Sequence, residues 1–382
     1  MKKGVTKILY FFIDFLAGIG ISKKQKYDIL LIRVDAIGDF VLWTDTLRAY
    51  EKQYKDTEKK VVVLCLDIVA PIAKKYKFID KVISLNYSQF HKNLWYRFQY
   101  IRILKSHQFE VVFSPVYSRF YGESADYFVR LLQGNKKIGF DGNPHCISKK
   151  EIEKSKSYYT NLIESSPLNT MELIRNAEFV QKTIDKNFTP NIPNFSFIKN
   201  NDKISGDFIV IVLGAGNSRR RWPVENFAKL ILLLPVNLKI ILLGSAKEFD
   251  LGTHLIQILK EQKDTHRVVN HISDFTLMES MTIVKGSKCL IGNESSMIHI
   301  AAALRVHSIA ITGGGHWKRF VPYSNSLPAK EYAPCIVNQD MDCYGCDWQC
   351  KYPLENGCWK CINNINIEVV YDQVKKHIKA SK

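Results

Sequence analysis

The chain has 382 residues, 46% of them apolar and 24% charged. This composition excludes a disordered or fibrous chain, and the length exceeds one ordinary domain, so two domains of Rossmann-like size are expected. Fifty-four Lys and Arg against 37 Asp and Glu give a formal net charge of +17, which draws polyanions: nucleic acid, an anionic membrane or phosphorylated substrates. A lysine-rich composition bias would give the same sum, so charge alone does not choose among them.

The first element in chain order is an apolar segment, Ile8 to Ile21, broken only by Asp14. Lys2, Lys3 and Lys7 precede it, and Lys23, Lys24 and Lys26 follow. Fourteen helical residues reach only ~21 Å, short of a ~30 Å hydrocarbon core. Ile8, Phe11, Phe12, Phe15, Leu16 and Ile19 share one helical face. The pattern favours a helix lying in the interface of an anionic membrane over one docked on the protein's own surface. No signal peptide with a cleavage site is visible, so the expected setting is cytoplasmic and reducing, peripheral on the inner face of the inner membrane.

From Asp28 the pattern alternates strand, turn and helix. Ile29–Val34, Val61–Leu66 and Val111–Phe113 read as buried strands, with a helix over Leu94–Leu104 among those between them. A polar stretch at 188–207, with Pro190 and Pro193, reads as a linker. The alternation then restarts with Phe208–Leu213, Lys239–Leu243, Lys288–Ile291 and Ser308–Ile311. Continuous apolar strands separated by helices predict parallel sheets covered on both faces. The expected fold is therefore α/β, two Rossmann-like doubly wound domains facing a cleft, with the ligand at the carboxyl ends of the strands. The boundaries are an apolar, basic helix at 1–26, a first domain at 27–187 that takes the acceptor, and the linker at 188–207. A donor-binding domain at 208–334, a Cys-rich module at 335–365 and a last helix at 366–382 returning towards the first domain complete the chain.

Three motifs carry chemistry. In Arg33-Val34-Asp35-Ala36-Ile37-Gly38-Asp39 a strand ends in a tight turn, and Asp39 opens a helix, where its charged form is favoured. An ionised carboxylate there can serve as a general base, although an N-cap is the commoner use of such a residue. There is no GxGxxG, which argues against an NAD enzyme. In Leu213-Gly214-Ala215-Gly216 followed by Arg219-Arg220-Arg221-Trp222-Pro223, glycines bare backbone N–H groups and guanidinium forks match phosphate oxygens, a diphosphate clamp. In Gly292-Asn293-Glu294-Ser295-Ser296-Met297-Ile298-His299, a helix begins near Ser296. Its N-terminus with Ser295 and Ser296 suits phosphate, and Glu294 suits a sugar hydroxyl pair or a cation. His299 lies one turn inside.

These motifs, in this order, resemble glycosyltransferase family 9, the family of lipopolysaccharide heptosyltransferases, over nearly the whole chain from about Ile29. The resemblance implies a GT-B fold and inverting transfer of heptose from an ADP-linked donor, with no cofactor or metal required at the chemical step. It implies Asp39 as the base on the acceptor hydroxyl and Arg220 on the donor phosphates. Glu294, Ser296, Met297 and His299 fall on the family's donor-binding turn, and Glu248 matches an acid that holds the nucleoside. The turn departs from the family's usual Asp followed by Thr-Gly, and the longer Glu294 with Ser295-Ser296 alters the pocket beside the sugar. The membrane-facing helix and basic surface favour a lipid-linked glycan core as acceptor over a protein. Arg119, after a first-domain strand, is a candidate contact to an acceptor phosphate.

Six of the nine cysteines fall between Cys335 and Cys361. Cys65 and Cys289 lie in apolar strands and read as small buried hydrophobes. Cys343-x-x-Cys346 and Cys358-x-x-Cys361 are paired as in structural zinc or iron sites, with Cys350 an alternate ligand; reduced thiols are the other reading. Two rival functions follow, a nucleic-acid-binding protein with a zinc-ribbon-like element and a nucleotide-sugar binder without catalysis. The spread of basic residues along the chain, away from the cysteines, argues against nucleic acid, and Asp39 with His299 argues against lost catalysis.

Overall fold

A computed structural model describes residues 2–22, 24–118, 125–142, 148–200, 204, 206–263 and 265–380, with side chains from Ile8 to Ile378. The long apolar runs form strands because each is covered on both faces. In the first sheet these are β1 (Gln25–Arg33), β2 (Val61–Leu66), β3 (Lys81–Leu85), β4 (His107–Ser114), β5 (Gln133–Phe140) and β6 (Asn161–Ile163). They pair in parallel in the order β3-β2-β1-β4-β5-β6. The second sheet holds β7 (Phe208–Val212), β8 (Lys239–Leu242), β9 (Val268–Asn270), β10 (Leu290–Asn293), β11 (Ser308–Ile311) and β12 (Cys335–Val337). Its order, β12-β11-β10-β7-β8-β9, has the same winding, also in parallel. Each sheet thus reverses its winding direction once, between β1 and β4 and between β7 and β10. Cys65, in β2, and Cys289, just before β10, are both buried.

The chain divides into two compact units. One takes the chain up to Phe40, then Thr46–Ser166 and Arg175–Phe188; the other takes Val41–Asp45, Pro167–Ile174 and everything from Thr189 onward. Much of the polar stretch at 188–207 is built into the second unit rather than left as a linker. Ile192, Phe195 and Ile198 are buried, and the Phe195 N–H donates to the Ala303 carbonyl at 2.8 Å. The last helix, Ile367–Ala380, buries Val370 and Val374 in the core of the second unit, beside Ile309, Val337 and Phe227. Just before it, β13 (Leu354–Glu355) and β14 (Cys358–Trp359) form a hairpin. Asn356 and Gly357 turn it, both left-handed with φ of 48° and 76°, as two-residue hairpins require.

The N-terminal helix, Lys2–Leu16, is docked on the first unit by its polar residue. Asp14 accepts from Arg97 through Nε (3.0 Å) and Nη2 (3.2 Å) and from the Tyr127 hydroxyl at 2.6 Å. Arg130 stands 3.9 Å away, and the Tyr10 hydroxyl donates to the His91 carbonyl. The face of Ile8, Phe11, Phe12, Phe15, Leu16 and Ile19 points outward, each more than half exposed. Of the flanking lysine side chains, those of Lys2, Lys3, Lys7 and Lys23 lie outside the described residues. Among the described residues no helix is long and apolar enough to cross a membrane.

Arg97 is fully buried, so Asp14→Ala strands a buried guanidinium. The substitution is expected to lower the stability of the first unit by about 3 kcal/mol. Urea unfolding followed by tryptophan fluorescence checks this, and a loss below ~0.5 kcal/mol, the scale of a surface pair, would contradict the docking.

Candidate active site

Where a doubly wound sheet reverses, the chain segments leaving the two central strands diverge and open a crevice at the carboxyl ends. The sequence motifs fall at these points. In the first unit β1 ends on Arg33, which is wholly buried. Its Nη1 donates to the Pro115 carbonyl beyond β4 (2.9 Å) and to Asn176 Oδ1 (3.0 Å). Its Nε lies 3.0 Å from Asp35 Oδ1, and its Nη2 lies 3.9 Å from Asp39 Oδ1. Arg33 therefore spans the reversal and supplies a fixed positive charge beside two carboxylates. Asp39 sits in the first turn of the helix Ile37–Trp43 with 17% of its side chain exposed, reachable but held. Arg119 lies outside the described residues.

In the second unit the loop after β7 carries Gly214, Ala215 and Gly216. A Cβ at Gly214 would come within 2.8 Å of Glu248 Cγ, so only glycine leaves room for that acid. Glu248 Oε2 accepts from the Ser245 N–H (2.8 Å) and hydroxyl (2.5 Å), and its Oε1 lies 3.7 Å from Arg221 Nη2. Ala215 is half-buried and Gly216 exposed at the loop crest. The three arginines fan apart. Arg219 lies over the Trp359 ring at 5.3 Å, Arg221 reaches Glu248, and Arg220 lies 4.3 Å over the Trp348 ring with its Nη2 3.4 Å from Glu294 Oε1.

At the end of β10, Asn293 is fully buried and joins the two loops. Its amide donates to the Leu213 carbonyl (2.8 Å) and accepts from the Trp222 N–H (2.8 Å). Glu294 is buried too, and accepts from the Thr312 hydroxyl at 2.7 Å. The helix Ser296–Ala303 then starts with no side-chain cap on its N-terminal N–H groups. The covered Ser295 hydroxyl has no hydrogen-bond partner among the described residues, and Ser296 and Met297 are half-buried beside it. Open N–H groups, a spare hydroxyl and Arg220 together make a site for an anion. His299 lies deeper, its Nδ1 2.9 Å from the Tyr323 hydroxyl and its ring stacked on Tyr323. Burial pulls its pKa down to about 4 against the opposing charge of Glu294, so the ring is neutral.

The structure gives the metal expectation at the cysteines no support. Among the described residues no group of three or more His, Cys, Asp or Glu is arranged to hold a metal ion. Cys358 turns its thiol to the Glu355 carbonyl (3.3 Å), and Cys361 Sγ lies against Gly313. Burial pushes the Cys358 thiol up to about 11 and also raises Cys346 and Cys361, each flanked by other thiols; Cys343 and Cys350 are among those that raise Cys361.

Arg33 and Asn293 stand inside the quoted motifs without an assigned role, and Thr312 and Trp348 lie outside them. Asn293 carries a visible signal, a polar residue closing an apolar strand; Trp348 carries none, because its partner Arg220 is distant in the chain.

Two doubly wound α/β sheets with their motifs at the winding reversals are the two halves of a GT-B fold. The structure resembles that of E. coli ADP-heptose lps heptosyltransferase II, with a TM-score of 0.62 at 14% identity over 92% of this chain and 99% of that one. It resembles E. coli heptosyltransferase WaaC with ADP-2-deoxy-2-fluoro heptose equally, with a TM-score of 0.62 at 14% identity over 94% and 100%. In sequence the chain is 26% identical over 343 residues to lipooligosaccharide heptosyltransferase 2 of Campylobacter jejuni subsp. jejuni serotype O:6, covering 89% of this chain and 96% of that protein. The family model of glycosyltransferase family 9 (heptosyltransferase) matches residues 118–343, more than half of the chain, and the chain belongs to that family.

Removing the Asn293 amide leaves a buried carbonyl and a buried N–H unpaired, so Asn293→Ala is expected to cost about 3 kcal/mol in chemical denaturation of the second unit. The His299 pKa is lower folded than unfolded. Its contribution is therefore complete above the unfolded value near 6.5 and is lost as pH falls from there towards about 4. Stability measured across that window should fall by roughly 3 kcal/mol on this account, and His299→Gln should flatten the slope.

Proposed function

We propose that this glycosyltransferase moves heptose from ADP-heptose to the sugar core of a lipopolysaccharide or lipooligosaccharide, with inversion at the anomeric carbon. The observation that carries the donor side is the anion site at the start of the Ser296 helix, where Arg220, pinned by Glu294, meets uncapped N–H groups. The names of the Campylobacter relative and of the two E. coli structures support heptose and ADP. The second unit holds the donor and the first supplies the base.

In the reaction the acceptor hydroxyl oxygen attacks the anomeric carbon as the bond to the diphosphate breaks. The bonding electrons leave on the diphosphate, where Arg220 and the helix N-terminus stabilise the growing charge. Asp39 takes the hydroxyl proton, and Arg33 fixes the carboxylate for that role. A single displacement inverts the centre. Glu248, beside Gly214, faces the nucleoside, and Glu294 with Thr312 faces sugar hydroxyls. Arg119 contacts an acceptor phosphate. The outward apolar face of the N-terminal helix rests on the inner face of the inner membrane, where a lipid-linked acceptor is presented.

Asp39→Asn should lower kcat by a factor of about 10²–10⁴ while leaving ADP binding by calorimetry within about two-fold. Full turnover in that variant would remove Asp39 from the mechanism. Phe11→Glu with Phe15→Glu should abolish co-sedimentation with vesicles containing phosphatidylglycerol and leave turnover of a soluble acceptor unchanged.

A further inference from the structure

The Cys-rich segment lies on the loop that follows β11. That loop starts with Thr312, the partner of Glu294, and continues as Gly313-Gly314-Gly315-His316. The Gly345 N–H donates to the Gly314 carbonyl (2.7 Å) and the Asp347 N–H to the Gly315 carbonyl (2.9 Å). A Cβ at Gly314 would lie 1.9 Å from the Tyr344 ring and one at Gly315 2.2 Å from the Trp348 ring, so both rings press on bare backbone. Two side chains then face the donor residues. Asp347 Oδ1 is 2.9 Å from His316 Nε2, and Trp348 carries the Arg220 guanidinium 4.3 Å above its ring, with His316 edge-on at 5.8 Å.

Two further details separate this contact from ordinary packing. Asp347 and Trp348 are consecutive non-glycine residues in the left-handed region, with φ of 51° and 60°. Such conformations are unfavourable and tend to persist where a site requires them. The indole N–H of Trp348 is covered yet has no acceptor among the described residues, and Arg220 Nε likewise has none. Both are donors beside the anion site.

We infer that Asp347 and Trp348 belong to the donor site, Trp348 as the platform that aims Arg220 at the donor diphosphate and Asp347 as the positioning residue for His316. The inference rests on the nucleotide-sugar reading proposed above and adds to it a specificity element from outside the three sequence motifs. With Nε2–H engaged by Asp347, the other imidazole nitrogen of His316 is the acceptor for a donor-sugar hydroxyl. The unpartnered indole N–H and Arg220 Nε–H supply donors to phosphate oxygens.

The test uses the purified full chain. Trp348→Leu should raise the KM for ADP-heptose about ten-fold with kcat and acceptor KM within about two-fold, and Trp348→Phe should restore most of it, since an aromatic face is what Arg220 needs. Asp347→Ala should lower kcat/KM for the donor about ten-fold, and Asp347→Asn, which keeps a hydrogen-bond acceptor for His316, should recover most of the loss. A folded Trp348→Leu protein with wild-type donor KM would overturn the inference, as would equal losses for donor and acceptor. If wild type does not turn over ADP-heptose, the donor assignment fails separately. The variants are then compared by thermal shift with ADP, UDP and GDP, using whichever nucleotide stabilises wild type. Equal stabilisation of wild type and Trp348→Leu, or stabilisation of neither by any of the three, overturns the inference as well.

Discussion

The amide of Asn293 ties together the two loops that the second sheet drives apart. At the winding reversal β7 and β10 are neighbours, but the chain leaves them towards opposite faces, so nothing in the sheet itself fixes the loops against each other. One buried side chain does so by accepting from Trp222 and donating to Leu213. The reach of Arg220 to Glu294, and the place of both beside the Ser296 helix, depend on that tie. The first unit meets the same constraint differently. Arg33 spans from β1 to the carbonyl beyond β4 and, being charged, needs Asp35, Asp39 and Asn176 around it. The bridge is neutral in the second unit, beside Arg220 and the start of the Ser296 helix, and cationic in the first, where carboxylates are gathered.

The winding was readable because Ile29–Val34, Phe208–Leu213 and the other strands are unbroken apolar runs, which only a doubly covered parallel sheet accommodates. The motifs at their ends were readable for the same reason: glycine, charge and hydroxyl residues directly after such a run have few uses other than a crevice. Contacts between distant segments left no such trace. Nothing local to Trp348 announces Arg220, and nothing in the Cys spacing shows Cys358 turning to its own hairpin carbonyl. The last helix is amphipathic, but amphipathicity does not name the core that receives it, and Val370 and Val374 join the second.

The N-terminal helix shows a different limit. Its apolar stripe was legible, and so was the interruption at Asp14, yet periodicity does not say which side faces the protein. Here the usual arrangement is inverted. The carboxylate points in, because Arg97 is buried among Tyr10, Phe90 and Tyr127 and requires a counter-charge, and the phenylalanines point out.

That inversion has a thermodynamic consequence. A peptide that becomes helical only on reaching an apolar surface must give up backbone freedom of roughly 1–2 kcal/mol per residue as it adsorbs. In this chain the ordering has been completed by the protein's own ion pair before any such surface is met. Any adsorption on that face would draw on the transfer free energy of the exposed Phe11, Phe12 and Phe15 rings without paying that ordering cost.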